Sequence, residues 1–81
     1  MQPYTYTVWI EVDSDEVDHQ LNVLASSQGG AQEWGDKLAK RMCSRRSTSF
    51  LRSEISDQAT GVGTLPTVVY GHYPSDEDIG W

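Results

Sequence analysis

Val17-Asp18-His19-Gln20-Leu21-Asn22-Val23-Leu24-Ala25 is the stretch whose reading decides the fold. Its apolar residues fit two periods at once. Val17, His19, Leu21, Val23 and Ala25 alternate like one face of a strand, whereas Val17, Leu21, Leu24 and Ala25 also fall at helical spacing. The flanking segments favour the strand. Upstream, Tyr4, Tyr6, Val8, Ile10 and Val12 alternate with Thr5, Thr7, Trp9 and Glu11, the pattern of a half-buried strand. Asp13-Ser14-Asp15-Glu16 then supplies turn-forming residues that close a hairpin. Downstream, Ser26-Ser27-Gln28-Gly29-Gly30 reads as a loop entering a helix, and a hairpin followed by a helix covers one sheet face economically.

From Ala31 the period becomes helical, with Ala31, Trp34, Leu38 and Met42 on one stripe. Ser26 or Ser27 is placed to cap the first turn, and the helix is expected to end near Arg45 or Arg46, where cations suit the negative end of its dipole. Residues 50–55 are read as a third strand burying Leu51 and Ile55, a pair that also fits a short helix. Residues 59–66 form a Gly and Pro loop, and residues 67–73 are β-rich enough for a last strand. The expected architecture is α+β: a small antiparallel sheet of about four strands with one amphipathic helix on one face, in ββαββ-like order. Residues 1–81 make one small domain, with residues 74–81 an acidic tail that is free to be flexible.

Charge divides the chain into acid, base and acid. All six cations, Lys37, Lys40, Arg41, Arg45, Arg46 and Arg52, lie in residues 31–52, and all twelve Asp and Glu residues lie outside residues 37–52. The net charge of −6 argues against binding nucleic acid or an anionic membrane through the whole surface, and favours a basic partner. A single cysteine, Cys43, excludes an internal disulfide and suits a reducing, cytoplasmic setting. The N-terminus carries neither a basic region nor an apolar run, and no stretch approaches the length of a membrane span.

Within the basic segment, Lys37 and Lys40 each have an acid four residues earlier, Glu33 and Asp36, in the favourable orientation for a helical ion pair. Arg41, Arg45, Arg46 and Arg52 have none, so they are free to meet distant carboxylates or to form an anion-binding surface. Glu11, Asp13, Asp15, Glu16 and Asp18 put five carboxylates into eight residues at the expected hairpin tip. Asp13-Ser14-Asp15 resembles the start of a calcium loop. The pattern fails at Val17 and His19, and no Glu stands at its twelfth position. Carboxylates at alternate strand residues stand roughly 6 to 7 Å apart, a row comparable to the phosphates of a nucleic acid. Asp76, Glu77 and Asp78 form a second acidic cluster, while Trp9 and Trp81 are candidate aromatic anchors beside acidic neighbours.

No catalytic pattern accompanies these features. Cys43 has no sequence-near His to activate it and is read as lying away from the apolar stripe, and Gly61-Val62-Gly63 lacks phosphate-loop spacing. Neither enzyme activity nor a cofactor is expected. In size, acidity, hairpin-plus-helix plan and lack of catalytic residues, the chain resembles the small phage-encoded anti-CRISPR proteins. That resemblance implies a stoichiometric inhibitor occupying a basic nucleic-acid channel of a CRISPR effector complex in the bacterial cytoplasm. The alternatives are a nucleic-acid-binding module using Arg41, Arg45, Arg46 and Arg52, and a structural or assembly subunit.

Overall fold

The ambiguous stretch is a strand. The computed structural model describes every residue except Thr60 and Val62. Its elements run β1 (Gln2–Val12), β2 (Asp15–Ala25), α1 (Gln28–Arg46), β3 (Ser49–Ser56), β4 (Thr67–Val69) and α2 (Asp76–Ile79). The sheet order is β3-β1-β2-β4. β1 pairs antiparallel with both β2 and β3, while β4 lies parallel to β2, so the sheet is mixed. Helix α1 packs on one face of it.

The hairpin turn has only Asp13 and Ser14 between the paired residues Val12 and Asp15. Both have positive φ, 51° and 70°, as a two-residue turn that matches strand twist requires. Register then assigns the faces. Tyr4, Tyr6, Val8 and Ile10 of β1 lie opposite Val23, Leu21, His19 and Val17, all turned toward α1. Thr5, Thr7, Trp9 and Glu11 lie opposite Asn22, Gln20, Asp18 and Glu16 on the far face.

Helix α1 begins at Ser27, whose Oγ accepts from the Gly30 N–H, and ends at a left-handed Ser47. Its buried stripe is wider than the sequence pattern suggested, taking in Gly35, Ala39 and Cys43 beside Ala31, Trp34, Leu38 and Met42. The small residues let the helix backbone approach the sheet closely. A Cβ built on Gly35 would stand 2.4 Å from the ring of Tyr6, which is fully buried. Cys43, expected away from the stripe, is in fact part of the core because it follows Gly35 and Ala39 at successive four-residue steps.

Strand β3 departs from simple alternation. Trp9 pairs with Arg52 but Ile10 pairs with Phe50, so Leu51 is an extra residue in a β-bulge. The bulge changes which residues face inward. Phe50 and Ile55 pack against the core, and Leu51, expected to be buried, is 46% exposed. The last strand is also shorter than expected, ending at Val69. The loop read at residues 59–66 includes Thr60 and Val62, which lie outside the described residues.

The far face has a buried patch of its own. Ser56, Thr5, Asn22 and Thr67 stand in one line across the four strands. The chain leaves β3 and enters β4 on this line, and the Asn22 N–H donates to the Pro66 carbonyl at 2.9 Å. Thr5 and Asn22 are buried there, joined by a 2.8 Å hydrogen bond from the Thr5 hydroxyl to Asn22 Oδ1.

The C-terminal segment is laid along α1. The rings of Tyr70 and Tyr73 pack on Trp34, with centroids 5.5 and 5.0 Å away, and Ile79 is buried in the core. Residues 74–81 therefore include a helix anchored by an apolar residue. Among the described residues, no helix is long and apolar enough to cross a membrane.

Candidate functional site

The hairpin end carries the densest charge of the molecule. Glu11, Asp13, Asp15, Glu16 and Asp18 are all exposed. Register sorts them into two groups. Glu11 and Glu16 stand directly opposite one another on the far face, with Asp18 two residues along β2 from Glu16 and opposite Trp9. Asp15 lies opposite Val12, toward α1, and Asp13 is in the turn. Directly opposed like charges such as Glu11 and Glu16 destabilise a hairpin. Among the described residues, none of the five carboxylates is within ion-pair distance of a cation.

Trp9 is half-buried on the same face, and the Arg52 guanidinium covers it 3.7 Å from the ring centroid. This stack follows from cross-strand register, since Arg52 is the β3 neighbour of Trp9. Arg52 also approaches Glu54 at 3.8 Å, a long contact between side chains that are 57% and 69% exposed. The far face thus presents one covered aromatic ring, one arginine and a group of carboxylates.

On the helix side of the same end lies a cleft of about 240 Å³. Ile10, Val12, Ala39 and Met42 form its apolar walls, and Cys43 and Arg46 of α1 with Thr48 just beyond it complete the lining on that side. Trp81 closes it, half-buried and stacked on His19 with centroids 5.3 Å apart and planes 17° from parallel. Burial lowers the pKa of His19 below its ordinary value, and repulsion from Arg46 adds to that, while Asp18 acts in the opposite direction. The imidazole is therefore neutral at pH 7, which suits a stacked ring against apolar walls.

The second acidic cluster is largely used within the fold. Asp76 accepts from Arg45 at 2.8 Å. Asp78 completes a capping box with Ser75 at the start of α2. Glu77 is left exposed. The stack of Trp81 on His19 brings this segment to the hairpin end, on its helix side.

The four arginines do not share a surface. Arg41 lies over the ring of Tyr73 at 4.5 Å, Arg45 holds Asp76, Arg46 borders the cleft, and Arg52 sits across the sheet on Trp9. The two lysines also depart from expectation. Among the described residues, neither Glu33 and Lys37 nor Asp36 and Lys40 form an ion pair. Lys37 lies 5.8 Å from the Trp34 ring and Lys40 5.1 Å from that of Phe50. Asp36 instead accepts two hydroxyl hydrogen bonds, from Tyr6 and from Ser53, each at 2.6 Å. Burial, followed by the bond to Asp36, pushes the Tyr6 pKa far above the ordinary tyrosine value.

No family model, curated protein or solved structure matches this chain.

The geometry at the hairpin end suits electrostatic recognition. Among the described residues, its carboxylates have no cation within ion-pair distance and no three His, Cys, Asp or Glu side chains converge as a metal-binding group, while its aromatic surface is partly covered. Sequence reasoning missed His19 as the partner of Trp81, Tyr73 as the partner of Arg41 and Asp36 as a half-buried acceptor. Of these, only Asp36 was signalled, through Tyr6: a tyrosine on the inner face of a central strand needs a hydroxyl partner, and a polar residue on the facing helix is where to seek it.

Proposed function

We propose that this protein is a non-enzymatic interaction protein whose acidic hairpin end docks on a basic surface of a nucleic-acid-processing complex and inhibits it. One observation carries the reading: Glu11, Asp13, Asp15, Glu16 and Asp18 are exposed and have no cation within ion-pair distance among the described residues. By contrast, Asp76 is held by Arg45 and Asp78 caps α2. Opposed Glu11 and Glu16 cost the free hairpin stability, and an approaching basic groove relieves that repulsion while adding attraction of its own.

Docking of this kind needs no reaction and no cofactor. Glu16 and Asp18, alternate residues of β2 on the far face, stand roughly 6 to 7 Å apart, a spacing that suits imitation of neighbouring phosphates. An anti-CRISPR-like inhibitor acting on an effector complex in a bacterial cytoplasm is the specific form of the proposal. Glu77, exposed on α2, is a further carboxylate without an ion pair among the described residues. Trp81 contributes by holding the C-terminal segment in place through His19, and Trp9 by flanking the carboxylates beneath Arg52.

The test is capture of host proteins on the wild-type chain and on a variant with Asp13→Asn, Asp15→Asn, Glu16→Gln and Asp18→Asn, both confirmed as folded. Nucleic-acid-processing proteins retained by the first and lost from the second support the reading. Equal retention on both refutes it. The alternative, direct nucleic-acid binding, requires affinity for DNA or RNA that falls steeply with salt and with loss of Arg46.

A further inference from the structure

We infer that a second copy of this chain docks on the free edge of β3, antiparallel to it, with the two-fold axis passing through Ser53. This goes beyond the proposed docking of the hairpin end and stands independently of it.

The edge is open. β3 is outermost in the sheet, runs for eight residues and pairs on one side only, with β1. It carries no proline and no lysine, two residues that commonly guard such edges. The bulge at Leu51 guards one end and Gln28 Nε2 donates to the Ile55 carbonyl at 3.3 Å near the other, which leaves the outward-facing backbone groups of Ser53, between residues bonded to β1, as the open centre of the edge. Leu51 is also the large apolar side chain of the strands that solvent reaches most, at 46% exposed.

Charge selects the register. In an antiparallel pair, directly opposite residues share a face, and Arg52 and Glu54 both lie on the far face of the sheet. A two-fold axis at Arg52 would oppose two arginines, and one at Glu54 would oppose two glutamates. An axis at Ser53 sets Arg52 of each copy against Glu54 of the other, forming two ion pairs. Within one chain, that pair reaches only 3.8 Å. The Arg52 guanidinium keeps its stack on Trp9, because its five N–H donors lie in the guanidinium plane and remain available at the edge. The same register brings Leu51 level with Ile55 of the second copy. It makes a continuous eight-stranded sheet with the two acidic hairpin ends pointing away from each other.

Sedimentation equilibrium over a concentration series up to millimolar tests this directly on the wild type, Arg52→Glu, Glu54→Arg and the double exchange. Each single exchange turns both ion pairs into like-charge pairs and is expected to weaken the dimer by about tenfold or more. The double exchange is expected to restore it. A wild type that stays monomeric overturns the inference, as does a dimer indifferent to the single exchanges or one the double exchange fails to rescue. Amide exchange of the wild type gives an answer that needs no variant to fold. The amides of Ser53 and Ile55, which point away from β1, should slow with rising concentration while those of β4 do not, and unchanged exchange at these two amides overturns the proposal.

Discussion

Replacing Gly35 by alanine should destabilise the protein, although alanine is the better helix former. A Cβ at this position meets three ring atoms of Tyr6 at 2.4 to 2.6 Å, well inside the 3.4 Å at which ordinary contact begins. Tyr6 cannot retreat easily. Its ring is fully buried, and its hydroxyl is tied to Asp36 at 2.6 Å. Relief must come from moving α1 outward, which loosens Ala31, Ala39 and Cys43 along the same ridge. Overpacking a tight core costs about 1 to 3 kcal/mol, and this contact belongs at the upper end. Helix propensity returns about 1 kcal/mol, leaving a net loss of about 2 kcal/mol. For a chain of 81 residues that corresponds to a fall in Tm of roughly 8 to 16 °C. Gly29→Ala is the control, because nothing lies within 4 Å of its added Cβ. It should gain up to about 1 kcal/mol from propensity. Thermal and urea unfolding of both variants, followed by circular dichroism, make the comparison. If Gly35→Ala proves as stable as wild type while Gly29→Ala gains, the close helix–sheet approach is wrong.

Ser14→Gly should stabilise by about 0.5 to 1 kcal/mol, since Ser14 holds a φ of 70° that glycine adopts without strain; chemical denaturation reads this out. Tyr6→Phe should cost about 1 to 3 kcal/mol by leaving Asp36 with Ser53 as its remaining hydroxyl donor, measured the same way. For His19, the lowered pKa means that below about pH 6.5 the unfolded chain takes up a proton that the folded chain resists. Its contribution therefore makes stability fall as pH drops through that window and vanishes above it. His19→Gln should flatten the stability curve between pH 7 and about 5, and an unchanged slope would contradict the stacked, neutral imidazole.

The sequence made the hairpin and helix legible because both obey a simple period. Alternation in β1 is regular, and Ala31, Trp34, Leu38 and Met42 mark the helix face without help from tertiary context. The ambiguous Val17–Ala25 stretch resolved as a strand because β1 supplied a partner of matching period. Leu51 was misread because a bulge adds one residue to an alternating strand, and nothing in Phe50-Leu51-Arg52 announces it. Gly35 and Cys43 escaped notice for a different reason. Their burial follows from how near the helix lies to the sheet, which the apolar stripe alone does not record. Asp36 looked like half of a helical ion pair with Lys40, yet two half-buried hydroxyl bonds from β1 and β3 outcompete a surface pair worth only tenths of a kcal/mol. The C-terminal segment was least legible, because Tyr73, Asp76 and Trp81 find Arg41, Arg45 and His19 across 32, 31 and 62 residues of sequence. The candidate site was visible as composition, since its five carboxylates lie within eight residues. Their division between the two faces emerged only with the register.

The claim that the acidic hairpin end is the docking surface is tested most directly by competition. Host proteins retained on the immobilised wild-type chain should be released by duplex DNA, and the variant with Asp13, Asp15, Glu16 and Asp18 neutralised should not retain them. Retention that survives both the DNA and the four substitutions would contradict the account.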